Sequence, residues 1–406
     1  MFRFNHVFSV TPAKSKPLAP RSYQCRCGKP IFFRNSRCLA CGSPLGFEPS
    51  LGRLYALGSA GEPDLWNLIG ANLVGADEPR GRYRRCANLS SISGCNWLLP
   101  AEDPANGTGT NRQTLCQSCR LDRTIPDLSV AADAEAYRSI SNAKRRLVSF
   151  LIALGLPVAS RVSEDPERGL AFDFLRSPAQ GPRVMTGHDH GIITLNIEEA
   201  EDSTRERIRG ELGEPYRTLL GHLRHETGHY YWDRLIENTT WIDGYRKLFG
   251  DERQDYAAAI QVHYQSGPAP GWQQTFVSAY ASTHPWEDWA ETWAHYLHVM
   301  DTLETALGFG LEPESSIEMD VKPFEPDALF RPADPGGAQF LHFLNSWTRL
   351  TAVLNELSRA MGLHDFYPFA LPRNAVAKLH FVHLVVSEGG AANSGRARVS
   401  ARHEPA

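Results

Sequence analysis

The stretch HLRHETGHYYW, residues 222–232, places His225 and His229 four positions apart with Glu226 between them. On a helix, side chains at i and i+4 share a face, so two neutral imidazoles can grip one zinc ion at ~2.0–2.1 Å. Glu226 follows His225 at ~100° around the helix axis and can address water on that ion. In this H-E-x-x-H spacing zinc acidifies water and the glutamate takes its proton. The competing reading has both histidines facing a core and hydrogen-bonded there.

Working outward, the spacing predicts a helix from about Glu214 to Glu237. Gly228 inside it costs ~1 kcal/mol relative to Ala, a cost explained by close packing against a neighbouring element. His222 and Asp233 lie near the same face and read as solvated or hydrogen-bonded residues rather than metal support. A catalytic zinc needs a third protein ligand and an open position. The downstream Gly and His that complete some such motifs are replaced here by Trp232 and Leu235, so the third ligand comes from further along.

Residues 239–279 alternate helix-like and loop-like segments, broken by GPAPGW at 267–272. Then ASTHPWEDWAETWAHYLHVM, residues 281–300, begins a helix with Ser282 or Thr283 as cap and Pro285 in its first turn. Trp289, Trp293, Tyr296 and Met300 form its core stripe. Glu287 and Asp288 need no more explanation than carboxylates opposing a helix dipole. Two more apolar helices are expected over 338–361 and 375–386, followed by a disordered Gly-, Ala-, Ser- and Arg-rich tail, 388–406.

Upstream, Ile140, Leu147, Val148, Leu151 and Leu154 recur at three- and four-residue steps, predicting an amphipathic helix over 133–154 that ends near Gly155 and Pro157. Residues 170–175 (LAFDFL) and 191–197 (GIITLNI) read as strands, expected to pair antiparallel. GIITLNI is the candidate edge for an extended substrate. His188 and His190, in the GHDHG turn between them, read as turn polarity.

All eight cysteines precede residue 120. Cys25, Cys27, Cys38 and Cys41 flank strand-like Ile31, Phe32 and Phe33 and read as a zinc ribbon, four thiolates closing a structural site with no open position. Cys86, Cys95, Cys116 and Cys119 form a second such set with a widely spaced first pair, and exchange of partners between the sets stays open. Residues 65–74 are expected to form a short helix, and 100–112 a polar loop. Metal-like cysteine spacing fits a reducing cytoplasm better than a disulfide framework.

The 406 residues carry a formal net charge of −4, but 20 Lys+Arg against 11 Asp+Glu over 1–146 give +9 there and leave −13 for the rest. That basic part is read as a solvated surface, with nucleic-acid binding disfavoured. The N-terminus lacks a continuous apolar stretch and a cleavage site, and the longest apolar run, 147–159, is too short to span a bilayer. A cytoplasmic chain without membrane insertion is expected.

The run Glu287-Asp-Trp-Ala-Glu291, with Tyr280 seven residues before Glu287, resembles the E-x-x-A-E segment of gluzincin metallopeptidases of the anthrax lethal factor type. The resemblance implies Glu287 as third ligand, Tyr280 as a phenol that stabilises the oxyanion, and Glu291 as support one turn on. Across nearly the whole chain, the order of ribbon, second cysteine set, HETGH and PWEDWAE resembles a bacterial family of zinc-binding metallopeptidases with an N-terminal zinc ribbon.

The expected fold class is therefore α+β: a zincin-like, mainly helical metallopeptidase domain with a small sheet over 131–387, preceded by a ribbon (20–50) and a second four-cysteine zinc-binding region (51–130). The expected activity is peptide-bond hydrolysis with Glu226 as general base and three zinc ions, one catalytic and two structural. The partners are a peptide or protein substrate and, through the ribbons, a protein. The alternative is a catalytically inactive ribbon adaptor for a protein or nucleic acid.

Overall fold

The computed structural model describes residues 21–69, 81–101, 114–212, 214–313, 317–319 and 321–400. Its contacts divide the chain into two units: Leu18–Ala153 with Pro157–Arg205, and Leu154–Leu156 with Glu206–Ala406. Together they make an α+β protein in which, among the described residues, every sheet is in the first unit and most of the helix in the second.

In the first unit, β1 (Tyr23–Gln24) and β2 (Pro30–Ile31) pair antiparallel around the first cysteine knuckle. A five-stranded antiparallel meander follows: β3 (Leu45–Glu48), β4 (Arg53–Ser59), β5 (Trp66–Ile69), β6 (Tyr83–Arg85) and β7 (Leu98–Pro100). The helix expected over 65–74 is thus a strand, paired Leu57↔Leu68 and Gly58↔Asn67 with β4. Four residues whose faces alternate suit a sheet as well as a helical turn, and the neighbouring strand decides. Leu73, Val74, the N-terminal lead and most of the polar loop lie outside the described residues. Phe47 anchors the core, with ring centroids 4.8 Å from Phe33 and 5.1 Å from Trp97.

Also in this unit, β8 (Asp122–Thr124) precedes helix α1 (Ala131–Ala153), which buries Ile140, Leu147, Val148 and Leu151 as the periodicity predicts. A buried ion pair between Lys144 and Asp122, joined by the Tyr137 hydroxyl, fixes the helix to the strand. Strands β9 (Ala171–Leu175), β10 (Gly187–Asp189) and β11 (Ile192–Asn196) complete a sheet ordered β10-β11-β9-β8.

Two expectations fail here. Strands β9 and β11 are neighbours but parallel, because the connection supplies β10 as the antiparallel hairpin partner and leaves the other edge of β11 for β9. With both edges paired, β11 cannot receive a substrate strand. His188 Nε2 accepts the Gly191 amide at 2.9 Å and exposed His190 pairs with Asp189, so both serve the turn.

The helices continue with α2 (Asp202–Leu212), not foreseen from the pattern, and α3 (Leu219–Leu235). Helix α3 starts later than Glu214 because Pro215 disfavours helix in the residue before it and Thr218 caps the start, accepting the Gly221 amide at 3.0 Å. Then come α4 (Ile242–Phe249), α5 (Tyr256–Ser266), α6 (Pro285–Gly308), α7 (Gly337–Ala360) and α8 (Arg373–Ser400).

The cap of α6 is His284 rather than Ser282 or Thr283: Pro285 takes the first helical position, and His284 Nδ1 accepts the Trp286 amide at 3.1 Å. Helix α8 runs through the expected tail as far as Ser400; residues 401–406 lie outside the described residues.

Helix α3 packs along α6, and Gly228 sets their approach: a Cβ there would meet Ala290 Cα at 2.9 Å. The Trp289 indole donates to the Gly228 carbonyl at 2.8 Å across the same seam. Trp289, Trp293, Tyr296 and Met300 are all buried, as the stripe predicts. Among the described residues no helix is long and apolar enough to cross a membrane.

Candidate metal centres

Among the described residues, three groups of metal-ligating side chains converge: Cys25, Cys27, Cys38 and Cys41; Cys86, Cys95, Cys116 and Cys119; and His225, His229 and Glu287. The ligand atoms of each group lie within 4.8 Å of one another.

The first cysteine group sits on two tight turns opened by left-handed glycines, Gly28 (φ 80°) and Gly42 (φ 72°). The Cys25 and Cys41 Sγ atoms are 3.7 Å apart and those of Cys27 and Cys38 3.8 Å. In the second group Cys86 and Cys95 stand at the base of the β6–β7 hairpin, where the Cys86 amide donates to the Trp97 carbonyl at 2.9 Å. The wide spacing of this pair is therefore a hairpin loop, and no cysteine is exchanged between the groups. Cys95 and Cys116 Sγ lie 3.6 Å apart.

A tetrahedron with Zn–S bonds of ~2.3 Å has edges of about 3.8 Å, so both donor sets fit zinc. Their acidities agree. Burial pushes the Cys116 thiol well up, while the hydrogen bond from Cys116 holds Cys119 down. Four such neighbours ionise together only around a cation.

The third group is assembled from two helices. Helix α3 supplies His225 and His229 one turn apart, with ring centroids 5.0 Å apart and planes at 81°. Helix α6 supplies Glu287 from its first turn, 1% exposed, with Oε2 3.0 Å from His225 Nε2 and Oε1 3.6 Å from His229 Nε2. The His225 Nε2–Glu287 Oε2 separation is close to the ~3.3 Å edge of a tetrahedron with ~2.05 Å bonds to nitrogen and oxygen, and one ligand atom from each of the three residues lies within 4.8 Å of the others. Two imidazoles and one carboxylate leave a fourth position open, the donor set of a catalytic rather than a structural zinc.

Further side chains hold these three groups. His225 Nδ1 donates to Glu291 Oε1 at 2.7 Å, which turns Nε2 toward Glu287. Ser278 donates to the other Glu291 oxygen at 2.6 Å, and the Tyr256 hydroxyl donates to Glu287 Oε1 at 2.7 Å. The Trp286 ring packs on His229 with centroids 4.2 Å apart. Glu226 is buried on the same helix, and the Tyr280 ring lies 5.9 Å from that of His225. His222 and Asp233 are not among the converging ligands.

Burial works against an ionised Glu291, yet the His225 bond and charge outweigh it and hold its pKa at about 2. Burial likewise opposes ionisation of Glu287, but the two histidines keep it well below the usual carboxylate range. Burial first, then the Glu287 charge, raise Tyr280, so its phenol stays a donor at neutral pH. Asp288, beside the ligand, pairs with Lys378 of α8 at 2.6 Å, and burial pushes its carboxyl up to about 7 against that pairing.

Sequence reasoning missed Tyr256, Ser278 and Lys378. Only the Asp255 cap that starts α5 carried a local signal, the side chain accepting the Ala258 amide.

Comparison with known proteins separates the cysteine groups from the histidine group in the same way. Residues 133–385 match the family described as "Putative zinc-binding metallo-peptidase", and residues 22–130 match a zinc-ribbon domain. Proteins of Mycobacterium bovis and Mycobacterium tuberculosis, both named only as uncharacterized, are 42% identical over 370 residues, covering 91% of this chain and 96% of theirs. No solved structure matches significantly.

Proposed function

The chain belongs to this zinc-binding metallo-peptidase family, and from that premise we propose that it is a gluzincin-like peptidase of zincin type, with one catalytic zinc at His225, His229 and Glu287 and structural zinc at each cysteine group. The observation that carries the reading is the convergence of two imidazoles and one carboxylate beside the buried Glu226. A pure metal scaffold needs no base at that position.

Zinc held there supplies Lewis acidity, acidifying water and polarising a carbonyl. Glu226 takes the proton released as the new C–O bond forms, then delivers it to the amine nitrogen as the C–N bond breaks. Tyr280 donates its phenolic hydrogen to the oxyanion of the tetrahedral carbon, favoured by the burial that keeps it protonated. Glu291 fixes the His225 ring, itself steadied by Ser278.

The substrate is a peptide or protein. A partner-docking role for the ribbon is supported by Phe32 and Leu39, 59% and 94% exposed on it.

Glu226→Gln tests the reading. It should retain zinc and lose peptide hydrolysis by ~10²–10⁴-fold, measured on a peptide library with zinc content read in parallel. Full activity in that variant would sink the assignment.

A further inference from the structure

Glu287 presents its two oxygens to different neighbours. Oε1 takes the Tyr256 hydroxyl at 2.7 Å and lies 3.6 Å from His229 Nε2, whereas Oε2 pairs with His225 Nε2 at 3.0 Å. A carboxylate held this way has Oε1 committed to the phenol and Oε2 turned toward His225.

Tyr256 reaches this point from a separate segment whose placement is itself built. His284 caps α6 through Nδ1, so its other ring nitrogen carries the proton and donates to the Gln254 carbonyl at 3.2 Å, two residues before Tyr256. The Tyr256 ring then stands edge-on to His284 (5.3 Å, 83°) and Trp286 (5.9 Å, 81°). The start of α5 is thereby tied to the start of α6, where the ligand lies. Helix α5 buries none of its own side chains, so core packing does not account for a tyrosine at its first position.

We propose that Tyr256 is a positioning residue, whose hydroxyl fixes the Glu287 carboxylate so that Oε2 alone is presented for zinc. The inference rests on the metal reading above and assigns a role to a residue outside both motifs. A rotating buried carboxylate would have to be ordered when metal binds, and removal of such a supporting hydrogen bond typically lowers metal affinity 10–100-fold.

The experiment is chelator competition with zinc on the full chain, comparing wild type with Tyr256→Phe, with the cysteine-bound zinc as internal reference. Tyr256→Phe keeps the ring and removes only the hydroxyl. The expected result is a ~10–100-fold weaker third zinc, unchanged cysteine-bound zinc and an unchanged melting temperature of the metal-depleted protein.

Wild-type affinity in Tyr256→Phe would overturn the inference while leaving the metal reading intact, and so would a loss matched by lower stability of the metal-depleted protein. Absence of a third zinc from the wild type would overturn both.

Discussion

In the cysteine groups the four donors surround one point and come from short stretches of chain, 17 residues in the first group. In the histidine group two donors come from one helix and the third from another, 58 positions after His229, and three further side chains steady them. The first arrangement is complete once its turns form. The second exists only when α3 and α6 are pressed together over Gly228 and Ala290. A closed donor set is thus written locally, and an open one depends on the surrounding helical core.

The largest effect that would break this contrast comes from the cysteines. Structural zinc contributes on the order of 10–16 kcal/mol in small zinc modules, so Cys116→Ser should release zinc and leave the β6–β7 region open to proteolysis. Zinc content and limited digestion read the outcome. An intact, protected region with unchanged zinc would mean that this group is a packed thiol cluster.

The next effect tests how far the open site leans on its core. Lys378→Met leaves the carboxylate of Asp288 uncompensated beneath the ligand-bearing turn, and breaking a buried pair costs ~3–5 kcal/mol. Denaturant unfolding should show that loss together with reduced occupancy of the histidine site, the cysteine sites staying full. Equal zinc loss at all sites would erase the distinction.

The smallest effect is acid sensitivity confined to the helical unit. Burial holds the His383 pKa at about 3, against ~6.5 in an unfolded chain. Between those values the unfolded chain binds the extra proton. The contribution is therefore whole above ~6.5 and is lost as pH falls toward 3, at up to ~1.4 kcal/mol per pH unit. Melting curves of His383→Gln should decline less steeply with acid than wild type between about pH 6 and 4. Parallel curves would assign the acid response to other groups.

What was legible in the sequence follows the same division. His225 and His229 share a helical turn, the cysteines sit in knuckles, and α1 and the Trp289 stripe repeat with a helical period, so each could be read from near neighbours. Trp66–Ile69 could not, because four residues suit either periodicity until β4 pairs with them. The parallel partner of β11 was hidden for the same reason. In the site, Tyr256 touches Glu287 from 31 positions away, on a helix with no buried stripe to reveal its orientation. The cap of α6 was misassigned because serine and threonine are the usual choices, whereas an imidazole does the same work here and also clasps the Gln254 carbonyl.

The distance along the chain between Cys119 and Glu287 has a consequence in time. Both cysteine groups are complete in a nascent chain once Cys119 has been made, while Glu287 follows 168 residues later. At ~5–20 residues per second, translation leaves an interval of roughly 8–34 s in which the thiolate sites can capture metal and the histidine site cannot exist. On the proposed reading, synthesis would order metal loading, the thiolate sites having that interval to fill before the open site can compete for a scarce ion.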